Sequence, residues 1–262
     1  MHKKDLTYKN LFSFKNFGFT LAEVLITLAI IGVVAAMTLP TLIQNQQKRS
    51  LEVATQKFYS NISQAIKKYM ADEGYEDLRN SPLEFSWDEN LSDEENYANN
   101  AKAQKVCEDF IQKYLKVVKV CEDGCFADNY TTQNGEISYA IGTKSEEKYY
   151  TGKFVLADGS VMDIRSYSDW PIELYVDING RKGPNKVGYD LWSMNTFYDG
   201  SIDESGLNPE CKKDNEYCYW WGHSPKEIRD SRFNKCKGNS GGINNYGGCF
   251  GHFLENGFKF DY

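Results

Sequence analysis

Four oxygen-bearing side chains, Asp177, Asn179, Asn185 and Asp190, fall within the single stretch DINGRKGPNKVGYD at residues 177–190. Hard oxygen ligands on a tight, glycine-rich loop suit Ca²⁺, so these four are the candidate calcium ligands. Their spacing is not that of an EF-hand, and Arg181 and Lys182 in the middle oppose a cation. The alternative is a plain turn, because Asp, Asn and Gly are turn formers and Asn179-Gly180 and Gly183-Pro184 fix the backbone. Beyond Ca²⁺ no cofactor is expected.

Other groupings carry less chemistry. The histidines are His2, His223 and His252, and no Ser-His-Asp grouping, phosphate loop or metal-binding helix pattern accompanies them. No catalytic residue is therefore assigned, and the chain is not expected to be an enzyme. Cys121-x-x-x-Cys125 and the pair Cys211 and Cys218 match no common zinc spacing. All seven cysteines lie far beyond the apolar N-terminal run, a distribution that fits an oxidising compartment and disulfides. Cys121, Cys125, Cys211, Cys218, Cys236 and Cys249 are the disulfide candidates; Cys107, inside a helical pattern, is the expected odd thiol. Trp220 and Trp221 with Tyr217 and Tyr219 form either an exposed aromatic platform for sugars or another protein, or the core of a small disulfide-rich lobe, the reading we favour.

Glu23 is the remaining singular residue. It sits five residues into the apolar run of residues 19–43, which is long enough as a helix to cross a bilayer core of about 30 Å. A carboxylate there costs roughly 2.5 to 3.5 kcal/mol on insertion scales, and so has a partner or a purpose. Before the run stand Lys3, Lys4, Lys9 and Lys15 against only Asp5, so a formal charge of −7 for the whole chain becomes −10 without its first 18 residues. An acidic chain with no basic block argues against nucleic acid as the main partner, since phosphate contacts need clustered Lys and Arg.

The lysine-rich start, then Gly18-Phe19-Thr20-Leu21-Ala22-Glu23, then an unbroken apolar helix, resembles the signal of type IV pilins and type II secretion pseudopilins. The resemblance covers about the first fifth of the chain. It implies that a prepilin peptidase of the inner membrane cuts after Gly18 and methylates the new amino group of Phe19. It also implies that Glu23 neutralises the amino terminus of a neighbouring subunit during assembly. Opposite charges in an apolar medium attract strongly, and each is expensive unpaired. Other pilin-like subunits, an inner-membrane assembly platform and membrane lipid are the implied partners. The implied location is a single pass through the inner membrane with the C-terminal part outside the cytoplasm, followed by a surface or periplasm-spanning fibre. The plainer alternatives are a signal-anchor helix, or an ordinary signal peptide cut near Val34-Ala35-Ala36.

Several elements must position these residues. Leu51, Ala54, Phe58, Ile62, Ala65, Ile66 and Tyr69 recur at helical spacing, so one helix is expected from about residue 20 to 72, on the order of 80 Å at 1.5 Å per residue. Gly32 and Pro40 are its expected kink points. Residues 75–100 read as a polar surface insertion, and residues 97–117 as a second helix. Residues 153–164 read as a hairpin around Asp158-Gly159, with further strands at 172–178 and 190–197. The expected fold is α+β: a long N-terminal helix, half membrane-spanning and half amphipathic, packed on a small antiparallel sheet. The expected division is a cleaved leader at 1–18, a membrane helix at 19–43, its amphipathic continuation at 44–74, a pilin-like domain at 75–200 and a Cys/Gly/aromatic-rich, loop-like extension at 201–262 with a short strand at 257–260. Size and elaboration favour a minor pilin or pseudopilin. Rival functions are a glycan-binding adhesin acting through residues beyond 200, a DNA-binding competence pilin and a membrane-anchored enzyme beginning near residue 75.

Overall fold

The computed structural model describes residues 18–79, 81–122, 124–135, 137–139, 152–167, 170–205, 225–237 and 249–262. A 53-residue helix, α1 (Leu21–Glu73), is assigned without interruption through Gly32 and Pro40. By internal contacts the chain divides into two units, residues 1–46 and 47–262. In the first unit the large apolar side chains from Phe19 to Ile43, among them Leu25, Ile31 and Leu39, are exposed. This part of α1 is long and apolar enough to cross a membrane, and none of its most apolar window is buried within the protein.

The second unit begins with the amphipathic half of α1. Leu51, Phe58, Ile62, Ala65, Ile66 and Tyr69 are buried, following the three- and four-residue spacing of the sequence. From Phe58 on they join one core with α2 (Asp93–Tyr114) and a sheet. Ser92 starts α2 through a capping box: its hydroxyl accepts from the Glu95 N–H while the Glu95 carboxylate accepts from the Ser92 N–H at 2.9 Å. Part of the polar stretch expected as an insertion is therefore the first turn of a helix. That helix stops at Tyr114, short of the expected 117, because Val117-Val118 opens a β-branched run that suits a strand.

The sheet has six antiparallel strands in the order β1 (Val117–Cys121), β4 (Gly152–Leu156), β5 (Val161–Tyr167), β6 (Trp170–Asp177), β7 (Leu191–Thr196) and β8 (Ile202–Glu204). A separate pair joins β2 (Asn129–Thr131) and β3 (Ile137–Tyr139). The β4–β5 hairpin turns at Asp158-Gly159 as expected, with Gly159 in the left-handed region at φ 90°. On one face the register aligns Phe154 with Met162, Met162 with Val176, and Val176 with Trp192, all of them buried. α2 is tied to this sheet by polar side chains on its inner face. Gln104 donates to the Ile164 carbonyl at 3.0 Å and accepts from the Ser166 N–H at 2.9 Å, while Asn100 donates to the Ser166 carbonyl at 2.9 Å.

Within the region expected as a loop-rich extension, the described residues are 201–205, 225–237 and 249–262, and they carry regular structure. β8 pairs with β7 as the edge strand of the main sheet, and α3 (Pro225–Cys236) and α4 (Phe250–Glu255) are helical. The final residues form no strand. They dock instead on α1, where Glu52 accepts from the Phe260 N–H at 3.0 Å and from Lys259 at 2.9 Å. The fold is α+β and pilin-like: a long N-terminal helix followed by an antiparallel sheet.

Candidate functional site

Gly18, Phe19 and Thr20 precede α1 and are exposed. Thr20 and Glu23 close a reciprocal cap on the helix start. The Glu23 carboxylate accepts from the Thr20 N–H and from the Thr20 hydroxyl, both at 2.8 Å, and Thr20 Oγ1 accepts from the Glu23 N–H at 3.2 Å. All three bonds fall on Glu23 Oε2 or Thr20 Oγ1, so Oε1 has no protein partner among the described residues. The carboxylate that looked anomalous in an apolar run is therefore held against the helix start, where the amide dipoles favour negative charge. Spacing alone could have revealed this, since Thr20-x-x-Glu23 is a capping-box pattern.

The structure brings the four candidate calcium ligands onto one loop between β6 and β7, but their oxygens have other work. Asp177 and Asp190 are fully buried. Asp177 accepts from the Tyr130 hydroxyl at 2.5 Å and from the Asn179 N–H at 3.1 Å; Asp190 accepts from the Asn185 and Lys186 N–H groups at 2.7 and 2.6 Å. Burial raises the Asp177 carboxyl to about 7, with Asp190 adding to the rise, and raises Asp190 to about 6. Arg181 turns away to the Gly124 carbonyl at 2.9 Å and to Asp128 at 2.8 Å. Only Asn179 Oδ1 and Asn185 Oδ1 remain as buried oxygens without a partner, against the six to eight oxygens that Ca²⁺ takes. No group of three or more His, Cys, Asp or Glu that could hold a metal occurs among the described residues.

Two disulfides are present among the described residues. Cys121–Cys125 closes the end of β1 onto the following turn, and Cys236–Cys249 links the end of α3 to the start of α4. Cys107 is a buried free thiol whose Sγ points at the Leu83 carbonyl at 3.7 Å, and burial raises its pKa. Cys211, Cys218, His223 and the Trp220-Trp221 platform lie outside the described residues. His252 stacks on Phe233 at 3.6 Å and meets Asp261 at 2.8 Å.

Sequence reading missed a half-buried polar face on the sheet, with Asp163 fully buried within it. Arg165 pairs with Asp163 at 3.3 Å and lies over the Tyr175 ring at 4.8 Å, and the Tyr175 hydroxyl donates to Glu173 at 2.9 Å. Burial raises the Asp163 carboxyl to about 6. The alternating charges in β5 and β6 were visible as a strand's polar face; that this face would be covered was not.

Comparison with known proteins places the two parts of the chain separately. The prokaryotic N-terminal methylation motif matches residues 13–39, which hold Gly18, Phe19 and Glu23. A family of unknown function, DUF6613, matches residues 41–237, about three quarters of the chain. The chain belongs to this family. No curated protein and no solved structure matches it. The methylation motif makes this family member a precursor of pilin or pseudopilin type, which implies processing by a prepilin peptidase and assembly with pilin-like subunits. The motif and the apolar start of α1 together fit anchoring in a membrane.

Proposed function

We propose that the chain is a structural subunit, a minor pilin or pseudopilin, of a type IV pilus or a type II secretion fibre. In this reading the peptidase cuts between Gly18 and Phe19 and methylates the Phe19 amine, and the mature chain waits in the inner membrane with residues 47–262 outside the cytoplasm. The observation that supports it is the coincidence of the methylation motif with a helix whose first half exposes its apolar side chains and whose second half seats a folded unit.

The chemistry of assembly rests on Glu23. Thr20 holds one oxygen of its carboxylate and leaves Oε1 open to the ammonium of a neighbouring Phe19. A charge of each sign in hydrocarbon is costly alone, so the pair forms as the subunit leaves lipid for the fibre. The role is assembly without turnover. Glu23→Leu tests it: the variant is still processed, since the cut lies outside the changed residue, but is lost from sheared fibres and retained in membranes. Glu23→Leu entering fibres at the wild-type level would overturn this role.

A further inference from the structure

A groove of about 590 Å³ lies within residues 47–262 where α1 meets the end of α2 and the β4–β5 turn. Lys57, Asn61, Gln64 and Lys68 line it from one face of α1, at positions i, i+4, i+7 and i+11, and Tyr114, Lys116 and Asp158 line it from the other elements. Lys68 pairs with Asp72 at 3.3 Å, and Asp158 is taken up by the Ser160 hydroxyl at 2.7 Å. Lys57 and Lys116 have no carboxylate partner among the described residues. Just beyond Lys116, the edge strand β1 exposes Val118 (64 %) and Val120 (57 %) on either side of exposed Lys119.

The opposite end of α2 carries the complement. Residues 86–95 are exposed throughout. Asp88 and Glu95 are used locally, by the Asn90 N–H at 2.9 Å and by the capping box, whereas Glu89, Asp93 and Glu94 have no cationic partner among the described residues. Trp87 (40 % exposed) and Leu91 (36 %) stand in the same segment. In residues 47–262 these two, with Val118, Val120 and Val53, make up the exposed large apolar side chains among those described. Twenty-two residues of α2 separate the two patches by roughly 33 Å at 1.5 Å per residue, so they cannot meet within one chain.

We propose that the lysine groove and the β1 edge receive the acidic segment 87–95 of a second copy of this chain. Three unpaired carboxylates meet two unpaired lysines, and Trp87 and Leu91 cover Val118 and Val120. The chain is otherwise strongly acidic, so a local excess of lysine is the place where an acidic segment is attracted and not repelled. Because the two patches differ, the contact is head-to-tail, joining copies of this chain where they stand next to one another in the fibre. The proposal deepens the fibre reading and rests on it.

Zero-length carbodiimide coupling of the protein in intact producing cells, followed by analysis of sheared fibres and membranes, tests the proposal. The expected product is an amide between Lys57 or Lys116 and Glu89, Asp93 or Glu94, found by peptide mass spectrometry and necessarily between chains. It is lost in Lys57→Glu/Lys116→Glu and returns, with its ends exchanged, when Asp93→Lys and Glu94→Lys are added to that variant. Absence of the amide from sheared fibres in which N-methylated Phe19 is detected overturns the contact and leaves the fibre reading standing. Absence of processing, read from the same spectra, overturns the fibre reading instead. Failure of the exchanged variant to restore the amide also overturns the contact.

Discussion

Glu52 offers a graded test of how the last residues are fastened to α1. Its side chain is about one tenth exposed, and its two oxygens serve different donors: Oε1 the Phe260 N–H, Oε2 the Lys259 ammonium. Glu52→Ala strands the Phe260 N–H in a part-buried site, which costs about 1–3 kcal/mol. The lost pair with Lys259, itself 64 % exposed, adds about 0–1 kcal/mol after solvent screening. Glu52→Gln keeps an acceptor for Phe260 and gives up only the charge, so it costs about 1 kcal/mol or less. The clamp also seats an aromatic cluster, because Phe260 packs on Tyr189 and Phe253, both at 4.8 Å, and Tyr262 donates to the Gly188 carbonyl at 2.7 Å. Thermal unfolding of the full chain, with hydrogen exchange over residues 256–262, reads both effects. The expected order of stability is wild type, then Glu52→Gln, then Glu52→Ala, with tail exchange at least about fivefold faster in Glu52→Ala, the ratio that about 1 kcal/mol produces. Equal behaviour of the two variants, or an unchanged tail in Glu52→Ala, would refute the reasoning.

Arg229 on α3 forks onto Asp203 of β8 at 2.5 and 3.2 Å and reaches Glu255 of α4 at 2.9 Å; Arg229→Ala leaves Asp203 buried and unpaired, and a loss of about 3–5 kcal/mol is expected in denaturant unfolding, against a small change if the pair is idle. Asp163, Asp177 and Asp190 have folded-state pKa values of about 6, 7 and 6, raised above the ordinary carboxyl value, so the folded state binds more protons and their contribution to stability falls as pH climbs from about 4 to about 7. Asp177→Asn should flatten that fall in a pH series of melting midpoints; an unaltered slope would show that Asp177 does not titrate there. Because the carboxylates of the β6–β7 loop are already held by protein donors, added Ca²⁺ should leave the midpoint unchanged, and a rise abolished by Asp190→Asn would instead make the loop a calcium site.

What the sequence made legible was whatever depends on local pattern. The amphipathic half of α1 is written in the spacing from Leu51 to Tyr69, and the β4–β5 hairpin in Asp158-Gly159. The methylation motif is local too, so the stretch holding Gly18, Phe19 and Glu23 could be singled out without a fold. Errors came where two patterns overlap. The helical pattern of α2 reads on to residue 117, but the β-branched run from Val117 makes β1. Ser92 and Glu95 were read as solvated charge, although Ser-x-x-Glu before an apolar face also starts a helix. α3 and α4 are short, stand among cysteines and glycines, and owe their place to Arg229 and to packing on Trp192, which no local window shows. The lysine groove draws on residues 57–68, 114–116 and 156–158, and becomes a site only once α1, α2 and the hairpin turn meet.

The central claim is that this family member is processed as a fibre subunit, and the intact mass and N-terminal residue of the protein test it most directly, taken from cells with and without a prepilin peptidase. A peptidase-dependent start at N-methylated Phe19 is the expected result. A chain that keeps residues 1–18 in both strains, or begins near Met37, would contradict it and return the protein to an anchored or ordinarily secreted domain.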